Sequence, residues 1–179
     1  MPAYPAGLDE RVHWNGRDLH LRAIREEDDA EHRAFVEHLA PEDLRLRFFS
    51  SRRGVPEAEL AHLAHIDYAH EMAFVAVQTR ADGSQATLGV VRAFTDAENR
   101  ESEFGIIVAS DLHGQGLGAL LLGKLIRYQR HRGTKRLVCD VLRENMAMRT
   151  LASNLGFRAH SQPQSEPSIH CVLELASAV

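Results

Sequence analysis

The stretch Phe104-Gly-Ile-Ile-Val-Ala-Ser-Asp-Leu-His-Gly-Gln-Gly-Leu-Gly-Ala119 decides how this chain is read. A strand-like apolar run ends at Val108 and enters a short polar loop. Gly114, Gly116 and Gly118 then alternate into Ala119-Leu-Leu-Leu-Gly-Lys-Leu-Ile126, a strongly helical run. Glycines at a helix N-terminus leave backbone N–H groups uncovered, and the orphan donors and positive end of the helix dipole there favour a phosphate or pyrophosphate. No Lys-Ser/Thr pair follows the last glycine, so this is not a nucleotide P-loop. It reads as an anion cradle built from main chain.

Gly114-x-Gly116-x-x-Ala119 also fits a dinucleotide fingerprint in form. That pattern begins almost at the end of its strand and heads a long βαβ array. Here Ala109 to His113 intervene, and too little chain follows to build a nucleotide fold.

Working outward, the helix runs to about Arg132, with Arg130, His131 and Arg132 in its last turn and Gly133 just beyond, the expected C-terminal signature. Arg136 to Leu142 is a strand, which makes a strand–helix–strand crossover and hence a parallel pair. Asn145 opens a further helix with Met148, Leu151 and Leu155 at helical spacing, closed by Gly156. Gln162 to Pro167 is a loop, and Ile169, Cys171, Leu173 and Leu175 alternate as a last strand.

Upstream, Met72 to Thr79, Thr87 to Phe94 and Ser102 to Val108 form a meander turning at Ala81-Asp-Gly-Ser84 and Asp96-Ala-Glu-Asn99. Leu19 to Ile24 alternates like a strand, and Glu26-Glu-Asp-Asp29 places acid where a helix over Ala30 to Leu39 begins. Pro41 stops that element. Glu42 to Phe49 makes a second short helix, and Pro56 opens another carrying Leu60, Leu63 and Ile66 on one face. Residues 1–17, with Pro2, Pro5 and Gly7, read as a flexible arm, and 18–179 as a single domain.

With 179 residues, 44% hydrophobic and 26% charged, the chain has the size and balance of one soluble α/β or α+β domain. A net charge of −4 argues against an electrostatic nucleic-acid partner. No basic-then-apolar leader and no bilayer-length run is visible, so a cytoplasmic protein without a membrane partner is expected. Cys139 and Cys171 fall in strand-like runs and read as buried reduced thiols. The eleven histidines are scattered; His62 and His65 share a helix face without a matching carboxylate, so no metal is expected. Arg45, Arg47, Arg52 and Arg53 around Phe48-Phe49 are a basic, aromatic-bearing patch that reads first as a solvated face of an amphipathic helix, next as shaping an acceptor site, and last as a nucleic-acid contact. The sequence leaves the oligomeric state open.

His113-Gly-Gln-Gly-Leu-Gly118 resembles the acyl-CoA loop of the GNAT superfamily of N-acyltransferases, Gln/Arg-x-x-Gly-x-Gly/Ala, with His113 where Gln or Arg is usual. The order of elements also matches that fold. The resemblance implies an α/β (α+β) GNAT fold, a mixed, mainly antiparallel sheet flanked by helices with a central parallel strand pair. It places the acetyl-CoA pyrophosphate on His113, Gly114, Gln115, Gly116, Leu117, Gly118 and Ala119. The pantetheine arm would pair with main chain of Ile106, Ile107 and Val108, in a slot where the end of the meander strand and the start of the crossover strand splay apart. Asn145 and Met148 would lie against that arm, although Asn145 is also an apt helix N-cap and Met148 sits at core spacing.

Leu21 to Asp28, Leu44 to Ser50, Ile66 to Tyr68 with Glu71 to Val77, Glu103 to Val108, Asp140 to Met148 and Leu155 to Phe157 are similar to the Pat-type bacterial protein lysine acetyltransferases. That branch implies acetyl transfer to a protein lysine by direct attack in a ternary complex, with Glu103 as the base. Glu103 could otherwise be an exposed strand-edge carboxylate, and Glu101 on the same face is its competitor. Many superfamily members carry a thiolate-protonating tyrosine ahead of the Leu155-Gly-Phe157 segment; the slot here holds Ala152, with Ser153 beside it. The alternatives are transfer to a small-molecule amine and a non-catalytic acyl-CoA-binding module.

Overall fold

The computed structural model describes residues 2–48, 64–161 and 167–175. The helix expected from Pro56 with Leu60 and Leu63, together with Phe49, Arg52, Arg53, His62 and most of the 162–167 loop, lies outside the described residues.

The elements are β1 (Glu10–Trp14), β2 (Arg17–Ala23), α1 (Asp29–Glu37), α2 (Pro41–Phe48), β3 (Glu71–Thr79), β4 (Gln85–Thr95), β5 (Glu101–Val108), α3 (Leu117–His131), β6 (Arg136–Leu142), α4 (Met146–Asn154), β7 (Arg158–His160) and β8 (Ser168–Glu174). The strands form one sheet in the order β1-β2-β3-β4-β5-β6-β8-β7. β5 and β6 are parallel and every other neighbouring pair is antiparallel. This is the expected mixed sheet, with helices on both faces.

Each face buries its own cluster. Leu117, Leu121, Leu122 and Leu125 of α3 recur at helical spacing and pack on Phe74, Val91, Phe104, Leu137 and Cys139. On the other face Phe35 and Val36 of α1 cover Ala73, Val75, Val90 and Ile107. Side chains alternate along β5, so Phe104, Ile106 and Val108 serve the first cluster while Glu103, Gly105 and Ile107 face the second. Cys139 and Cys171 stand opposite each other across β6 and β8, buried and free of any disulfide, as expected.

Residues 1–17 are not a free arm. Glu10–Trp14 pairs with β2, and Trp14 is 7% exposed in the core. Prolines and a glycine near the terminus hid a short strand whose pairing partner only the hairpin at Asn15-Gly16 supplies. Gly16 sits at φ +74° and Asn15 at φ +47°, the left-handed pair that a tight hairpin turn needs. Pro41 is the first residue of α2, where its missing N–H costs nothing. Among the described residues no helix is long and apolar enough to cross a membrane.

Candidate active site

The parallel pair is short. β5 and β6 are paired only at Glu101↔Arg136, Ser102↔Leu137 and Glu103↔Val138. The shared start is pinned from beneath by the Gln129 side chain of α3, whose Nε2 donates to Ser102 Oγ at 2.9 Å and whose Oε1 accepts from Thr134 Oγ1 at 2.7 Å. Beyond Glu103, β5 keeps its bonding to β4 through Val108 while its other edge leaves β6. Parallel strands run from a common start, so the slot opens between the C-terminal halves of both. The expected parting at the start of β6 is therefore corrected.

That slot widens into a cleft of about 950 Å³. Its walls include Glu103, Ile106, Ile107 and Val108 of β5, His113, Gly114, Gly116, Leu117, Gly118 and Ala119 of the loop and α3, and Asn145 and Met148 of α4. Twelve of the thirteen residues expected at the site thus meet in one cavity. Gln115 is the exception. Its carbonyl accepts from the indole Nε1 of Trp14 at 2.8 Å, and its Oε1 accepts from Asn15 Nδ2 at 3.2 Å. The β1–β2 hairpin holds Gln115 from outside, so this residue positions the loop and does not line the cleft.

The glycines have distinct jobs. Gly114 (φ +73°) and Gly116 (φ +87°) adopt the left-handed backbone, and an added Cβ at either would meet nothing within 4 Å. The space over them is open. Gly118 instead lets α3 approach its neighbours, since a Cβ there would come within 3.2 Å of Leu151. The Leu120 N–H bonds the Gly116 carbonyl at 3.2 Å, so the amides of Leu117, Gly118 and Ala119 have no carbonyl one turn back. Open space, uncovered amides and the helix dipole together fit a pyrophosphate.

Asn145 caps α4, its Oδ1 accepting from the Met148 N–H at 3.1 Å. The structural role is therefore filled, and only the Nδ2 amide is left to offer a ligand. His113 Nε2 lies 3.3 Å from the Val108 carbonyl and 3.7 Å from Asp43 Oδ2, so it carries its hydrogen on Nε2 toward two acceptors. Asp43 also accepts from Ser110 Oγ, whose oxygen in turn accepts from the Ala40 N–H at 2.9 Å. The α1–α2 corner is thereby tied to the loop after β5.

α2 contributes more than its sequence suggested. Asp43, Leu46, Arg47 and Phe48 line the cleft. The Arg47 guanidinium stacks 4.7 Å from the Phe48 ring and crosses β5 where Gly105 has no side chain; a Cβ there would sit 2.1 Å from it. Arg45 pairs with Glu42 at 2.6 Å and with Glu144 ahead of α4, bridging the two sides of the cleft. Arg47 thus walls the cleft, while Arg45 braces the two helices beside it. Nothing in residue type or spacing distinguished the two outcomes.

The two candidate carboxylates separate clearly. Glu101 Oε2 is held by Arg136 Nε at 2.5 Å. Glu103, one full repeat further along the face, is exposed at the rim of the cleft, and its carboxylate has no ion pair or hydrogen bond among the described residues. Ala152 is 1% exposed in the core, and none of the chain's three tyrosines lines the cleft. Cys139 does line it, but its hydrogen bond with Cys171 and its burial push the thiol pKa up. Among the described residues no group of three His, Cys, Asp or Glu is placed to hold a metal; His65 instead faces Glu26 at 3.5 Å.

A parallel pair that parts beside a glycine-lined helix N-terminus defines an acyl-CoA-using transferase. Residues 18–158 match the family model described as an acetyltransferase (GNAT) domain, and the chain belongs to that family as an acetyl-CoA-dependent acetyltransferase. It is 32% identical over 165 residues to the acetyltransferase PA5475 of Pseudomonas aeruginosa, covering 89% of this chain and 88% of that one. It is 34% identical over 110 residues to the acetyltransferase Pat of Mycolicibacterium smegmatis, covering 62% and 32%. Among solved structures it superposes on the GNAT domain of S. lividans PAT with a TM-score of 0.84 at 21% identity, over 97% and 100% of the two chains. It also superposes on a Vibrio cholerae spermidine N-acetyltransferase in complex with CoA and spermine, with a TM-score of 0.70 at 20% identity, over 89% and 96%.

Proposed function

We propose that this protein transfers the acetyl group of acetyl-CoA to the ε-amine of a protein lysine in the cytoplasm, by direct attack in a ternary complex with Glu103 as general base. The observation that carries the base assignment is the contrast on one strand face. Glu101 is occupied by Arg136, while Glu103 stands exposed at the last paired position before the slot opens.

A lysine amine of pKa near 10.4 is almost wholly protonated at neutral pH, so supplying the free base costs roughly 4–5 kcal/mol. Glu103 accepts that proton directly or through one water as the amine arrives. The nitrogen lone pair attacks the thioester carbonyl carbon, and a backbone N–H near Val108 stabilises the oxyanion. As the C–S bond breaks, the newly acylated nitrogen gives its second proton to water and CoA departs as its thiolate. Direct transfer is favoured over an acyl-enzyme because the cysteine lining the cleft is held protonated by burial and by Cys171. Uncovered amides of the first turn of α3 hold the pyrophosphate, and the Asn145 amide donates to the pantetheine arm. The Pat-type resemblance and the likeness to the acetyltransferase Pat support lysine as acceptor.

The test combines variants with a panel of acceptors, following free-thiol release. Glu103→Gln should leave the acetyl-CoA KM nearly unchanged and lower kcat by roughly 10²–10⁴-fold. The deficit should shrink as pH rises, because the amine then arrives deprotonated. Glu101→Gln should stay close to the parent protein. Reversed results would move the base two residues upstream. Rapid release with polyamines or aminoglycosides and none with any protein would replace the lysine assignment with a small-molecule one.

A further inference from the structure

Phe94 is 56% exposed, one of only two large hydrophobic side chains so exposed among the described residues; the other, Met146, lines the acyl-CoA cleft. Exposed apolar surface is ordinary when scattered, so position must decide whether it matters. Phe94 on β4 is the residue directly opposite Glu103 on β5, and the two side chains share a face. Directly opposed side chains leave the sheet with Cβ atoms about 5 Å apart. Glu103 belongs to the cleft wall and Phe94 does not. Phe94 therefore lies on the outer side of Glu103, away from the acyl donor.

The surroundings narrow what the ring could serve. On the far side of Phe94 is Glu71, whose carboxylate is held by the buried Arg92 guanidinium. Glu101, two residues before Glu103, is held by Arg136. The face thus presents an aromatic ring beside an exposed carboxylate, with the flanking carboxylates neutralised. A cation at the end of an apolar stem matches that pair, its methylenes on the ring and its ammonium at Glu103.

We infer that Phe94 is an acceptor-positioning residue, a platform for the linear methylene stem that carries the reacting amine toward Glu103. This rests on Glu103 being the base, and it adds what that assignment lacks, a reason why one acceptor shape is preferred. A stem of three or four methylenes spans the ring and delivers its nitrogen to the carboxylate. A shorter stem cannot reach while lying on the ring, and a polyhydroxylated amine gains nothing from it.

The experiment measures acetyl transfer to Nα-acetyl-lysine methylamide, its ornithine and diaminobutyrate homologues, and glucosamine, in the parent protein and in Phe94→Ala and Phe94→Trp. In the parent, kcat/KM should be similar for the lysine and ornithine compounds, fall for the diaminobutyrate homologue and be lowest for glucosamine. Phe94→Ala should raise the KM for the lysine compound roughly five- to tenfold and flatten the dependence on stem length, with the acetyl-CoA KM unchanged. Phe94→Trp should restore both. Because the side chain is exposed, the melting temperature should hardly move, which separates positioning from folding. An unaltered stem-length dependence in Phe94→Ala overturns the inference, as does absence of transfer to every linear amine. If Glu103→Gln is fully active while Phe94→Ala flattens the series, the base assignment fails and the platform stands.

Discussion

The indole Nε1 of Trp14 donates to the carbonyl of Gln115 at 2.8 Å, joining residues a hundred positions apart. This bond fixes the pyrophosphate loop to the β1–β2 hairpin. Trp14 is buried while Gln115 is exposed, so losing the bond frees the loop from its anchor and leaves the carbonyl to water. Trp14→Phe keeps the packing and removes the donor. It should weaken CoA binding roughly three- to tenfold, the equivalent of about 1 kcal/mol, with a small loss of stability. Titration calorimetry decides it, and unchanged affinity would show that the loop holds its shape alone.

Gly116 tests the cradle itself. Its φ of +87° is costly for any residue with a Cβ, by about 1–2 kcal/mol, and the Cβ would enter the open space above the loop rather than strike protein. Gly116→Val should therefore remain folded by circular dichroism yet lose CoA affinity by more than tenfold. A folded variant with parental affinity would take the pyrophosphate off this loop.

Asn145 allows two roles to be separated, because its oxygen is used by the cap and its amide is not. Asn145→Asp retains the acceptor for the Met148 N–H and should keep stability near the parent value. If the amide donates to the pantetheine arm, that variant should bind CoA several-fold more weakly. Asn145→Ala should lose both affinity and about 1 kcal/mol of stability. Equal CoA affinity in all three proteins would confine Asn145 to capping.

His32 sets a limit on stability in acid. It is 2% exposed on α1, and its Nδ1 has no hydrogen-bond partner among the described residues. Burial, followed by the Arg92 charge, pulls its pKa from 6.5 down to about 4. Below pH 6.5 the unfolded chain takes up a proton that the folded one refuses, so stability falls as pH drops from 6.5 to about 4 and then levels. The loss approaches roughly 3 kcal/mol. Urea denaturation of the parent and of His32→Leu at pH 7.5 and pH 5 should show a difference of about 2 kcal/mol in their pH dependence. Parallel behaviour would mean that His32 is protonated without strain.

The elements near the loop were legible because each carries a local signal. Leu117, Leu121, Leu122 and Leu125 repeat at helical period, Gly133 ends that helix, and Asn145 begins the next. The glycine pattern is chemistry written in adjacent residues, since φ sign and amide exposure are local properties. Twelve of the thirteen expected site residues therefore reached the cleft. β1 was missed because its alternation, Val12 and Trp14 inward against Arg11 and His13, covers only five residues and gains a partner only through the Asn15-Gly16 turn. The outward facing of the Gln115 carbonyl and side chain was not legible, because a residue's neighbours in sequence do not say which side of a loop it faces.

What the sequence determined by itself was the order of elements from β2 to α4, the parallel crossover, the cradle at α3 and the two carboxylates on one strand face. What the tertiary structure decided was which residues those features meet. Whether Glu101 or Glu103 is left exposed depends on Arg136, brought alongside by the β5–β6 pairing. Whether Arg47 faces water or crosses the cleft depends on α2 lying over Gly105. Phe94 reads as an ordinary strand aromatic until β4 pairs with β5 and sets it opposite Glu103. Each of these is a contact between segments far apart in the chain, and its energy depends on distances that no stretch of sequence contains.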